Sequence, residues 1–291
     1  MSVAVLGATG FVGRALVPVL AERTEVVAVS RRGDVEESAN VRAVAADATD
    51  KGAVQRALDG VDVAYYLIHS LGSSDFADVD RRAAATFARA AEQEGLSQIV
   101  YLGGLGDDAD DLSPHLRSRA ETAATLADGR VPVTILRAAI IVGRGSAGFE
   151  TVVSLVDRLP VMIAPRWVSM PTQPIALADV VGYLADAAGK PETRGETFDV
   201  GGPEVLTYRE MIQRIGALRG RHPHIVEVPV LSPRLSSYWL HLVTPVRANV
   251  ARPLVEGLRN PTVARDERIR TVLPRDLTPF EVAARQALST D

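Results

Sequence analysis

The stretch Val3-Ala4-Val5-Leu6-Gly7-Ala8-Thr9-Gly10-Phe11-Val12-Gly13-Arg14 opens this 291-residue chain and decides its fold. Four apolar residues make a buried strand, three glycines with two residues between each pair make a turn, and the residues after them begin a helix. Gly7 permits the tight turn, and Gly10 lets backbone N–H groups approach a phosphate. Gly13 lets the helix pack closely on the strand, so that the helix N-terminus faces an anion. The plainer alternative is a glycine turn with no ligand.

Outward from this motif, β-branched runs alternate with helical stretches. Strands are expected at Val3 to Leu6, Glu25 to Ser30, Val41 to Ala45, Val61 to Ile68, Gln98 to Gly103 and Pro132 to Arg137. Helices are expected near Val12 to Glu22, Lys51 to Leu58, Phe76 to Glu94 and Pro114 to Ala127. That alternation predicts an α/β fold, a doubly wound parallel Rossmann sheet with helices on both faces. Residues 1–137 form its dinucleotide-binding core, and about 176–200 complete it with a helix from Leu177 to Ala188 and a strand at Thr197 to Val200. A smaller C-terminal substrate lobe is expected from about 139–175 and 201–275, where prolines become frequent. Thr207 with Glu210, and Thr278 with Glu281 behind Pro279, read as capping boxes.

Hydrophobic residues make up 47% of the chain, enough for a substantial core, and a formal charge of −4 gives no general attraction to nucleic acid or anionic lipid. With no cysteine, disulfides and thiolate chemistry are excluded, and a reducing, cytoplasmic setting fits. No secretory leader is visible, and no apolar run approaches the ~20 residues of a membrane span. The oligomeric state is not legible.

The cradle is expected to hold a dinucleotide through Gly7, Thr9, Gly10, Phe11, Val12 and Gly13. NAD-selective proteins place a carboxylate at the end of the second strand, but here it ends Ser30-Arg31-Arg32. A hydroxyl followed by two guanidinium groups suits a 2′-phosphate, so NADP(H) is favoured over NAD(H). Two solvated arginines in a loop are the alternative, and Asp34 keeps NAD open. Asp47, after the third strand, either holds the adenine amino group or begins a turn.

Tyr66-Leu67-Ile68-His69-Ser70, Val100-Tyr101-Leu102-Gly103-Gly104-Leu105-Gly106 and Phe198-Asp199-Val200-Gly201-Gly202-Pro203 extend the pattern along the chain. With the glycine motif they resemble the extended and atypical short-chain dehydrogenase/reductases, the NmrA-like and epimerase-like branches included. The resemblance implies cofactor contacts from His69, Ser70, Gly103 and Gly104. It also implies a catalytic serine or threonine, a tyrosine and a lysine, yet the matching positions hold Gly104, His115 and Arg119. Arg119 could hold a ribose hydroxyl but stays protonated. His115 could serve as an acid near neutrality, or merely decorate its helix. His69 and Ser70 stand next in line, and Tyr101 reads as core or pocket wall. Arg137 could be a structural arginine paired with a carboxylate.

The substrate pocket is expected from Ala138 to Phe149, Met162 to Gln173 and Leu235 to Leu242, with Trp167, Met170, Tyr238 and Trp239 among its walls. Such a pocket suits a small hydrophobic carbonyl, enone or quinone, and the same residues could equally be core. A metal has little support, because the five histidines are scattered. A serine-hydrolase elbow is absent, since Gly143-Arg144-Gly145-Ser146-Ala147-Gly148 has the wrong spacing. Two function classes remain beside the oxidoreductase: a nucleotide-sensing or accessory binding protein, and more weakly a sugar epimerase, which needs the missing tyrosine.

Overall fold

The computed structural model describes residues 1–69, 76–106, 112–228 and 260–289. Its central sheet contains β1 (Ser2–Leu6), β2 (Glu25–Ser30), β3 (Val41–Ala45), β4 (Val63–Tyr66), β5 (Gln98–Gly104), β6 (Val133–Ala138) and, after the short lobe strands, β11 (Thr197–Val200). The order is β11-β6-β5-β4-β1-β2-β3, with every pairing parallel. Strand order reverses between β1 and β4, and a ligand crevice opens at such a point, beyond the carboxyl ends of the strands.

Alternation along the strands separates two cores. Val3 and Val5 face α1 (Phe11–Ala21) and α6 (Leu177–Ala187) with Leu16, Tyr183 and Leu184. Ala4 and Leu6 face the opposite layer of α2 (Lys51–Leu58), α3 (Phe76–Gln93) and α4 (Pro114–Ala127) with Val54, Phe87 and Leu126. Both faces are therefore apolar, as parallel strands covered on two sides require.

The fourth strand is shorter than the apolar run suggests. Val61 is taken by a turn, its N–H donating to Leu58 O across Gly60, which sits at φ +70°.

A third core lies outside the sheet. Here α5 (Ala147–Arg158), α7 (Tyr208–Leu218) and α9 (Phe280–Leu288) share Phe149, Val156, Met211, Ile215 and Phe280. Three two-stranded pieces frame it: β7 (Ile141–Val142) with β10 (Ile175–Ala176), β9 (Pro171–Thr172) with β12 (Leu206–Thr207), and β8 (Val161–Pro165) with β13 (His224–Val228). The Thr207–Glu210 capping box forms in full ahead of α7.

The second expected box does not form. Thr278 gives its N–H and hydroxyl to the buried carboxylate of Asp179, 2.8 and 3.2 Å away. Pro279 then becomes the residue before α9, and a tertiary carboxylate outcompetes the local cap.

Candidate functional site

The glycine turn has the tolerances expected of a phosphate cradle. Gly7 lies at φ +90°, and a Cβ there would stand 2.9 Å from Leu67 O, where β4 leaves the sheet beside β1. At Gly13 an added Cβ would stand 2.2 Å from Gly7 O, so the helix can approach the turn only with hydrogen at that position. Gly10 is the residue before α1; its N–H donates to Gly7 O at 2.9 Å, no side chain caps the helix, and no acidic residue occupies the first turn. The N–H groups of Phe11 and Val12 thus stand at a helix end that an anion would satisfy. Thr9 O accepts from Arg14 Nη2 at 2.8 Å, which braces the outer side of the turn. These residues fit a dinucleotide pyrophosphate.

At the end of β2, Asp34 organises the neighbouring groups. It accepts from Ser30 Oγ at 2.7 Å and from Arg32 Nη2 at 2.9 Å, and these bonds hold its carboxyl below the usual range. Arg31 and Arg32 are both exposed at the mouth of the crevice. Asp47 takes Thr49 N–H and hydroxyl at 2.8 and 2.6 Å ahead of α2, so it does begin a turn.

The other end of the crevice is buried. His69 follows β4, and its Nδ1 lies 3.2 Å from Asp80 Oδ2 on α3, a carboxylate with 1% of its side chain exposed. Arg119 on α4 stands 3.9 Å from the same oxygen, donates from Nη2 to Ile68 O at 3.2 Å, and lies over the Tyr101 ring. One helical turn before it, His115 brings its ring to 5.0 Å from that of His69. Tyr101 is a core residue, fully buried, its hydroxyl donating to Arg119 O at 3.1 Å. Gly104 leaves room for this arrangement, since a Cβ there would be 3.0 Å from Leu116 Cδ2.

Burial governs the protonation of this cluster. It pushes the His115 imidazole down to about 3, helped by His69 and Arg119. His69 is also lowered, by burial and then Arg119, with Asp80 opposing. Both rings are therefore neutral at pH 7, so the near-neutral titration expected of His115 moves to lower pH. Tyr66 and Tyr101 are raised by burial.

A cavity of about 330 Å³ begins at this cluster and at Phe11 of the cradle. Gly103 to Leu105 and Ala138 to Ile141 form its floor, Val152 and Leu155 of α5 one wall, and Trp167, Tyr208 and Ile212 its far end. Trp167 is placed as expected. Met170 is not among the described lining residues; its N–H closes the turn onto Trp167 O at 2.9 Å. Ser70, Tyr238 and Trp239 lie outside the described residues.

Arg137 pairs with Asp199 at 2.7 Å and takes the structural role. Asp80, Tyr208 and Thr262 were not anticipated at the site. Asp80 had a signal: it falls on the apolar stripe Asp80-Ala83-Ala84-Phe87-Ala91 of its helix, and a charge there must find a buried partner.

A doubly wound sheet, an uncapped glycine turn at its switch point and a cavity opening beside that turn define a Rossmann-type dinucleotide-binding protein. The chain belongs to the NAD(P)H-binding family, whose model matches residues 7–156.

It is 26% identical over 292 residues to mouse mitochondrial NADH dehydrogenase [ubiquinone] 1 alpha subcomplex subunit 9, covering 95% of this chain and 74% of that one. Of the rat and Arabidopsis thaliana subunits it spans 65% and 60% of the length. It is 25% identical over 233 residues to the (4-alkanoyl-5-oxo-2,5-dihydrofuran-3-yl)methyl phosphate reductase of Streptomyces griseus, covering 79% and 78%. Among solved structures, the NADPH-dependent quinone oxidoreductase of Escherichia coli, complexed with NADPH, shares the fold at a TM-score of 0.76. The identity is 19%, with 98% of each chain covered. Among the described residues no helix is long and apolar enough to cross a membrane.

Proposed function

We propose that this chain is a cytoplasmic NADP(H)-dependent oxidoreductase acting on a small hydrophobic carbonyl, enone or quinone. The observation that carries the reading is the apolar cavity that begins at Phe11 of the cradle and at the His69–His115–Arg119 cluster. Bound NADPH supplies a hydride.

The chain's own residues do the rest. The N–H groups of Phe11 and Val12 would hold the pyrophosphate, and Arg31 and Arg32 the 2′-phosphate. The walls Val152, Leu155 and Ile212 exclude water, which strengthens every polar contact inside. His115 is a neutral hydrogen-bond donor to the substrate oxygen, and Arg119 fixes the turn at Ile68 and His69.

Gly104, His115 and Arg119 provide no tyrosine–lysine acid. That favours acceptors whose reduced anion is a weak base: a quinol, with a phenol-like pKa of ~10, can leave as its anion and take its proton from bulk water, whereas a simple alkoxide cannot wait for one. The names of the Streptomyces reductase and the quinone oxidoreductase agree with a reductive role.

The test is NADPH oxidation, followed by loss of the reduced cofactor's absorbance, against a panel of quinones, enones and hydrophobic ketones. Turnover of quinones ahead of ketones, with NADPH preferred to NADH, is the expected result. Tight nucleotide binding with no turnover across the panel would establish the second reading, a nucleotide-holding accessory protein, which the same three replaced positions favour.

A further inference from the structure

At the cradle end of the cavity three buried polar atoms have no hydrogen-bond partner among the described residues: His69 Nε2, His115 Nδ1 and Arg119 Nε. All three residues line the cavity. Buried polar atoms are nearly always satisfied, so unpartnered atoms in residues that line a cavity point to what the cavity receives.

The tautomer of His69 is set from behind. An ionised carboxylate only accepts, so Asp80 Oδ2, 3.2 Å from Nδ1, requires the proton on Nδ1. Nε2 then carries the lone pair and is the unpartnered atom. His115 has no such constraint on Nδ1, and its neutral ring can place a proton there. The two rings, tilted by 40° with centroids 5.0 Å apart, thus offer one acceptor and one donor side by side.

We propose that this end of the cavity is a hydroxyl-binding site, in which His69 Nε2 accepts the ligand's O–H while His115 Nδ1–H donates to the same oxygen. A hydroxyl satisfies both rings. A carbonyl or ether oxygen has no proton, satisfies only His115 and leaves the His69 lone pair buried and unpaired. The ligand class is an apolar ring compound with a terminal hydroxyl, and on the oxidoreductase reading, on which its functional meaning rests, that is the reduced partner of the reaction. Asp80 is the positioning residue, acting through His69 without touching the ligand.

The experiment uses the full chain free of nucleotide, so that binding is read without turnover. Isothermal calorimetry with 1-tetralol and 1-tetralone, which share a skeleton, is expected to give about tenfold tighter binding of the alcohol, the scale of one hydrogen bond to a buried acceptor. In His69→Phe the ratio falls to about one, whereas His115→Phe weakens both probes and leaves the ratio nearer to that of the unmodified protein. Nitrogen-15 chemical shifts of the unmodified protein read the tautomer directly, and His69 should be the Nδ1–H form.

Equal affinities, failure of both probes to bind, or an Nε2–H His69 would overturn the proposal. NADPH turnover with no hydroxyl preference defeats this inference alone. A hydroxyl preference with no turnover on any acceptor defeats the oxidoreductase reading alone.

Discussion

At the end of β2, Arg32 meets Asp34 at 2.9 Å with 85% and 43% of their side chains exposed; at the end of β4, His69 meets Asp80 at 3.2 Å with 21% and 1% exposed. Both are a base beside a carboxylate at a strand's carboxyl end, in one crevice. In water the first pair is loose, and its members remain available to a ligand's phosphate. Out of water the second pair fixes a tautomer, and its surroundings suppress the charge on both histidines. One end of the crevice is therefore suited to capturing charge, and the other to sorting neutral hydrogen-bonding groups.

The turn joining the two ends should be the most sensitive point. Gly13→Val drives a side chain into Gly7 O and is expected to cost roughly 3 kcal/mol, seen in denaturant unfolding. Gly10→Val, whose Cβ has only Gly7 O nearby at 3.1 Å, should keep the unmodified melting temperature and lose nucleotide affinity by calorimetry. Equal behaviour of the two variants would remove the distinction between packing and binding glycines.

The buried end should show itself next, in acid. His115 is depressed in the fold to about 3, against an ordinary value near ~6.5 in the unfolded chain. Between those limits the unfolded chain binds the extra proton, so stability rises with pH and is lost as pH falls from about 6.5 toward 3. His115 should contribute about 1.6 kcal/mol of loss between pH 6.5 and 5, with the lowered His69 adding to it, and His115→Phe should remove the His115 share. A pH-independent midpoint over that range in the unmodified protein would mean that the ring is not buried as described.

The exposed end is expected to act on ligand choice rather than stability. Replacing Arg31 and Arg32 together by alanine should reduce the preference for NADPH over NADH by about 1.5 kcal/mol, with no change in NADH affinity. Asp34→Ala frees Arg32 and Ser30, so it should raise the NADPH preference slightly and leave the melting temperature unmoved. A marked loss of stability in Asp34→Ala would break the comparison, because it would make the exposed pair structural.

The cradle, the parallel sheet and the switch point were all legible in the chain, since each depends on short-range rules. Glycine spacing works over a dozen residues, and alternation assigns Val3 and Val5 to one face and Ala4 and Leu6 to the other without reference to anything distant. The positions of His115, Arg119, His69 and Trp167 at the cavity could also be anticipated from where strands end. The Thr278 cap could not be placed correctly, because a carboxylate 99 residues away took its groups.

What the linear order left open was the chemistry of the buried end. Residues 69, 80, 115 and 119 come from a loop and two helices, and only packing brings Asp80 behind His69 and lays His115 beside it. The same imidazoles on an exposed loop would titrate near neutrality. Here the loss of water lowers them, and one carboxylate supplied by the tertiary fold chooses which nitrogen of His69 carries the proton.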